Sequence, residues 1–98
     1  MKTNTIGLIG LGKMGYHLAL NLLDHGYNVV ATDKNGEQAK KICQAGANGV
    51  SSVAGLIRSL PVPRIVWVMV PAGKVTGDVI MDLSERLTTG DIVIDGGN

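Results

Sequence analysis

Ninety-eight residues give room for one small domain, and 45% apolar against 17% charged residues puts the chain far from a disordered composition. A net charge of +1, with one Trp and two Tyr, leaves neither a basic stripe nor an aromatic platform for nucleic acid. The single cysteine, Cys43, can form no internal disulfide and has no companions at metal-ligand spacing, which fits a reducing cytosol.

The N-terminus shows no signal-peptide pattern, and no apolar run approaches the ~20 residues that span a bilayer. The expectation is a soluble, cytoplasmic α/β domain with no membrane partner.

Residues 5–9 read as a buried strand of continuous apolar character, as in a parallel sheet covered on both faces. Three glycines follow in Gly10-Leu11-Gly12-Lys13-Met14-Gly15, and residues 13–25 then take a helical period. Met14, Leu18 and Leu22 form its apolar stripe, widened by Leu11, Ala19 and Leu23. Gly26 is placed to end that helix at positive φ.

Residues 28–32 are the second strand, and Asp33-Lys34-Asn35-Gly36 is a turn. Residues 37–45 form a more polar helix with Ala39, Ile42 and Cys43 inward, stopped by Gly46. Residues 47–50 are a brief third strand, and Ser51 or Ser52 caps a short helix running to about Ser59. Pro61 and Pro63 mark a connection. Residues 64–70 give the strongest strand signal, apolar on both faces and therefore expected to be central. Pro71-Ala72-Gly73 turns it into a helix over 75–87, with Val75, Val79, Leu83 and Leu87 on one stripe. Residues 91–95 are the last strand, followed by Gly96-Gly97-Asn98.

Alternating strands and helices of these lengths imply parallel pairing through right-handed crossovers. The expected fold is a Rossmann-type doubly wound α/β sheet of strand order 3-2-1-4-5, with helices on both faces. Ligands in such sheets sit beyond the carboxyl ends of the strands. The turns at residues 10–15, 33–35, 70–73 and 96–98 all follow strand ends, so they converge on one sheet edge.

The glycines G-x-G-x-x-G lie between a strand and a helix, which is the context a dinucleotide loop requires. Gly10 permits the tight turn, Gly12 lets a pyrophosphate approach the backbone, and Gly15 allows close helix–strand packing. The open N–H groups and dipole of the helix start favour the phosphates. Lys13 reads first as an exposed lysine, and second as added charge near those phosphates.

Asp33 stands at the end of strand 2, eighteen residues past Gly15. A carboxylate there can accept from both ribose hydroxyls and repel a 2′-phosphate, which points to NAD over NADP. Lys34 could partly offset that repulsion, and a solvated turn aspartate is the alternative. Val70-Pro71-Ala72 is read equally as a wall of the nicotinamide ribose site and as a plain turn. Asn98 either approaches a ligand or ends a terminal turn. Solvated or capping roles are expected of His17 and His25. Cys43, Trp67, Met14, Met69 and Met81 are expected in the core. No nucleophile–base set and no metal-ligand spacing is visible.

The stretches Gly10-Leu-Gly-Lys-Met-Gly15, Val68-Met-Val-Pro-Ala-Gly73 and Gly90-Asp-Ile-Val-Ile-Asp-Gly-Gly-Asn98 together resemble the decarboxylating 6-phosphogluconate dehydrogenase family. The resemblance covers essentially the whole chain, and the Asp-Gly-Gly-Asn ending is its most specific part. The 3-hydroxyisobutyrate dehydrogenase group shares the glycine loop and a similar Pro-Ala-Gly loop but usually ends differently.

The resemblance implies that residues 10–15, 33–35 and 70–72, with Asn98, line the dinucleotide. Asn98 also lies near the sugar acid. It implies oxidation of 6-phosphogluconate and loss of CO2 to give ribulose 5-phosphate, in the pentose phosphate pathway, by a homo-oligomer.

Many members carry Asn-Arg-Thr where this chain has Asp33-Lys34-Asn35; the aspartate resembles the NAD-type bacterial branch. His17 replaces a common asparagine. The family's lysine base and glutamate acid have no counterpart in these 98 residues. The expectation is therefore an N-terminal dinucleotide-binding domain, residues 1–98, that is a piece of a longer enzyme and inactive alone. The other readings are a 3-hydroxyacid dehydrogenase domain and a non-catalytic nucleotide-binding module.

Overall fold

A computed structural model describes residues 4–70 and 74–96, with side chains for all of these except 74–78. The elements run β1 (Thr5–Ile9), α1 (Lys13–Asp24), β2 (Asn28–Thr32), α2 (Gly36–Gln44), β3 (Asn48–Gly49), α3 (Val53–Arg58), β4 (Ile65–Val68), α4 (Lys74–Arg86) and β5 (Ile92–Asp95). The sheet order is β3-β2-β1-β4-β5, and every pairing is parallel. Fold class and strand order are those expected.

Both faces of the sheet are covered because successive residues of each strand point opposite ways. Leu8, Val29 and Ala31 pack on one side with Ala19 and Ile42 from α1 and α2. Ile9, Val30, Val66 and Val68 pack on the other side with Leu56, Ile57 and Leu83 from α3 and α4. In β1 every residue after Thr5 is buried, and in β2 every residue after Asn28, which explains why both read as continuous apolar runs. Gly26 and Gly46 close α1 and α2 at φ of +87° and +114°, a region that side chains rarely enter.

Four expectations need correction. β4 is an interior strand between β1 and β5, as expected, but one of its two faces is only half-covered. Ile65 and Trp67 of β4 are only half-buried, because its neighbour β5 is itself an exposed edge strand. Met14 is 72% exposed and Met81 67%, so neither belongs to the core. Met14 keeps the helical spacing of Leu18 and Leu22, but in the first turn of α1 its side chain faces the open groove while Gly15 makes the contact with the sheet edge. Cys43 is also exposed; its Sγ lies against the start of β3 and accepts from the Gly49 amide at 3.1 Å.

Candidate functional site

The carboxyl ends of the strands form one continuous edge, held in register by ladder bonds that extend one residue past the strands. Gly10 N donates to Thr32 O at 2.9 Å and Met69 N to Ile9 O at 2.7 Å. Gly96 N donates to Val68 O at 2.9 Å, and Val50 N to Ala31 O at 2.8 Å. The turns that carry the candidate residues therefore leave from fixed points.

The glycine loop is shaped by close backbone approach. Gly10 has φ +101°, and a Cβ on it would stand 2.8 Å from the Met69 carbonyl. A Cβ on Gly15 would collide with the Gly10 carbonyl oxygen. Gly12 differs, because a Cβ there would meet nothing within 4 Å. Its lack of a side chain serves the open space in front of the loop, where a ligand can come against the backbone.

Gly12 is also the N-cap of α1, and it contributes no side-chain acceptor. By contrast, α2 is capped by Asn35, whose Oδ1 accepts from Glu37 N, and α3 by Ser52, whose Oγ accepts from Gly55 N. The first turn of α1 holds no acidic residue either. Its orphan N–H groups and positive dipole end are thus left to face whatever lies before the loop, which suits an anion.

In front of that loop runs a groove of about 770 Å³, a size suited to a small organic ligand. Of the residues singled out from sequence, Gly10, Gly12, Lys13, Met14, Gly15, Asp33, Lys34 and Val70 line it. Leu11 does not: its side chain is fully buried, and its amide donates to the Asp33 carboxylate. Asn35 does not line it either, since its side chain caps α2. Pro71, Ala72, Gly73 and Asn98 lie outside the described residues.

Asp33 ties two loops together. Its Oδ2 accepts from Leu11 N at 2.5 Å and its Oδ1 from Asn35 N at 2.8 Å. A carboxylate offers about four acceptor positions, so roughly two stay open toward the groove. Among the described residues, the ionisable side chains on the groove wall are Lys13, Asp33 and Lys34, all on the β1–β2 side. The β5 side contributes Gly96, which is packed so tightly on Trp67 and Met69 that a Cβ would stand 2.8 Å from Trp67 Nε1 and 2.6 Å from Met69 Sδ.

His17 faces a separate cavity of about 220 Å³ between α1 and α2. His25 is the C-cap of α1, with Nδ1 placed 2.8 Å from Asn21 O, an arrangement that puts the ring proton on Nδ1. Among the described residues no group of three His, Cys, Asp or Glu side chains could hold a metal, and no helix is long and apolar enough to cross a membrane.

The sequence reading missed part of the groove. Ser51, Ser52 and Val53 line it at the start of α3, as do Thr32 and Met69. The signal for the serines was present: they follow β3, whose carboxyl end belongs to the same edge.

Known proteins agree with this geometry. The chain is 41% identical over 93 residues to the NAD(+)-dependent, decarboxylating 6-phosphogluconate dehydrogenase of Haloferax volcanii, covering 95% of this chain and 31% of that protein. It is 42% identical over 98 residues to the decarboxylating 6-phosphogluconate dehydrogenase of Haemophilus influenzae, covering 95% and 20%. The chain thus spans about a third or less of these relatives.

Among solved structures, Plasmodium falciparum 6-phosphogluconate dehydrogenase, solved apo and with its cofactor NADP+ or its substrate 6-phosphogluconate, superposes at a TM-score of 0.86. Identity is 31%, over 95% of this chain and 21% of that one. Mycobacterium tuberculosis 3-hydroxyisobutyrate dehydrogenase shares the fold at a TM-score of 0.85 and 23% identity, over 98% of this chain and 32% of that one. Residues 5–98 match the family described as the NAD binding domain of 6-phosphogluconate dehydrogenase, and the chain belongs to that family.

Proposed function

We propose that this chain is the cofactor-holding part of a decarboxylating 6-phosphogluconate dehydrogenase and that it takes NAD in preference to NADP. The observation that carries the reading is the pairing of an uncapped helix start with a carboxylate at the end of β2 on one groove. The amides at the start of α1 bind the pyrophosphate, and Gly12 leaves room for it. Asp33 receives the ribose hydroxyls with its open acceptor positions and repels a 2′-phosphate. Lys34 stands exposed beside it and reduces that repulsion without cancelling it, because a flexible ammonium lacks the planar fork that grips a phosphate. Val70 lines the same groove, and the family resemblance assigns it, with Pro71, Ala72 and Asn98, to the nicotinamide and sugar-acid side of the site. The NAD(+)-dependent Haloferax relative supports this choice, whereas the Plasmodium protein uses NADP+.

The chemistry that bound NAD supplies is acceptance of a hydride from the carbon bearing the substrate's C3 hydroxyl. Oxidation and loss of CO2 also need a base for the hydroxyl and an acid for the enediol. None of Lys13, Asp33 and Lys34 is free for that work, since all three sit where phosphate and ribose are held. In this reading residues 1–98 are a dinucleotide domain, and the proton-transfer groups come from elsewhere in a longer polypeptide. The reading extends to a cytoplasmic homo-oligomer of the pentose phosphate pathway, a setting in which an exposed Cys43 stays reduced.

The test is to supply the complete enzyme with 6-phosphogluconate and either NAD or NADP and to follow reduced nicotinamide and CO2. Turnover with NAD at the higher kcat/KM is expected. Turnover with neither cofactor overturns the substrate assignment, and a preference for NADP overturns the role given to Asp33.

A further inference from the structure

We propose, resting on the NAD reading above, that Asp33 is a positioning residue as well as a ribose reader. Its carboxylate locks the glycine loop in ligand-binding shape before any dinucleotide arrives, so neutralising it weakens both cofactors instead of exchanging one for the other.

Leu11 N donates to Asp33 Oδ2 at 2.5 Å across 22 residues of sequence. The amide lies in the bend between β1 and α1, after Gly10 N, which donates to Thr32 O, and before the helical ladder that starts with Tyr16 N donating to Gly12 O. From the other side the loop is anchored by the Leu11 side chain, fully buried with Leu8, Ala19 and Ile42. The loop is thus pinned through both the amide and the side chain of one residue. Hydrogen bonds to a charged acceptor are roughly twice as strong as neutral ones, so the aspartate is the firm end of this clamp. Its other oxygen accepts from Asn35 N, and the same side chain therefore sets the distance between the glycine loop and the start of α2.

An asparagine at position 33 has one acceptor oxygen and one NH2 group. Whichever way it turns, it sets a donor against either the Leu11 or the Asn35 amide and opens one end of the clamp. Removing the charge lifts the repulsion of a 2′-phosphate, but it also loosens the pyrophosphate cradle that NAD and NADP share. If Asp33 acted by charge alone, the same change would raise affinity for NADPH.

The experiment takes the complete protein as wild type, Asp33→Asn and Asp33→Ser. It measures hydrogen exchange at the Leu11 amide without ligand, and NADH and NADPH affinities by fluorescence titration. A protected Leu11 amide is expected in the wild type, with exchange tenfold or more faster in both variants. NADH affinity is expected to fall at least tenfold, with no gain for NADPH.

Tighter NADPH binding in either variant, or unchanged Leu11 exchange, overturns the clamp. So does a wild-type Leu11 amide that exchanges as fast as an open loop, which keeps the test independent of whether the variants fold. A wild-type preference for NADPH would instead defeat the NAD reading, while the ligand-free exchange would still decide the clamp.

Discussion

Arg64 and Asp91 close the sheet at the end opposite the groove. Asp91 Oδ1 accepts from Arg64 N at 2.6 Å, and its Oδ2 accepts from the Arg64 guanidinium at 3.0 Å and from Thr88 N at 2.9 Å, with the carboxylate 1% exposed. The pair fixes the first residues of β4 and β5 side by side, and Ile92 N donates to Arg64 O at 2.7 Å just beyond it.

Asp91 makes stability pH-dependent at the acid end. Backbone donation from Thr88 and then from Arg64, aided by the guanidinium, holds its carboxyl down from 3.8 to about 2, against the opposing effect of burial. A carboxyl lowered in the folded state stabilises above its unfolded pKa, and that contribution is lost as pH falls through the folded value. The wild type is therefore expected to lose stability more steeply between pH 4 and pH 2 than Asp91→Asn does. Denaturant midpoints measured across that window check it, and equal slopes would remove Asp91 from the account.

Asn35 separates a cap from a ligand contact. Its Oδ1 satisfies Glu37 N at 3.0 Å, and its side chain does not line the groove. Asn35→Ala is expected to cost about 1 kcal/mol of stability while NADH affinity, measured well below the melting temperature, changes less than about threefold. A tenfold loss of affinity at unchanged stability would bring Asn35 into contact with the ligand.

Met14 is the reverse case. It is 72% exposed, lies in the glycine loop and lines the groove, so removing its side chain takes apolar surface from a ligand and none from the core. Met14→Ala is expected to move stability by under about 0.5 kcal/mol and to weaken dinucleotide binding several-fold. Calorimetric titration beside a thermal melt would show both, and a stability loss near that of a core truncation, about 2–5 kcal/mol, would contradict the exposure.

The contrast between Met14 and Leu8 shows what sequence could and could not reveal. Where both faces of a strand are covered, as in β1 and β2, apolar continuity marks the element, and the observed bounds Thr5–Ile9 and Asn28–Thr32 are those expected. Where a helical position is left exposed, periodicity misleads. Met14 and Cys43 keep helical spacing but are exposed, Met14 facing the groove and Cys43 meeting only the Gly49 backbone, and the edge strand β3 is only Asn48–Gly49. The glycine loop was legible because its backbone geometry constrains residue type, Gly10 by its positive φ and Gly15 by its contact with the Gly10 carbonyl. Ser51 and Ser52 carry a weaker signal, their place after β3, which is masked because a hydroxyl before a helix has a sufficient local explanation. The Asp33–Leu11 bond depends on a register between two distant turns, which no local pattern encodes.

Gly12 and Gly15 separate the two uses of glycine in one loop. A Cβ on Gly15 meets backbone, the Gly10 carbonyl, and a backbone cannot rotate aside as a side chain can. Gly15→Ala is therefore expected to push α1 off the sheet edge, costing about 1–3 kcal/mol and lowering dinucleotide affinity through the displaced amides. A Cβ on Gly12 meets nothing within 4 Å, and its φ of −66° and ψ of −171° suit alanine. Gly12→Ala is expected to cost under about 1 kcal/mol, most of it from a poorer N-cap residue, yet to reduce affinity tenfold or more by placing a methyl group where the pyrophosphate must approach. Melting curves and NADH titrations of the two variants test the pair together. Should Gly12→Ala bind NADH as the wild type does, the open space before Gly12 is not where the phosphates lie, and the cradle must be sought elsewhere along the groove.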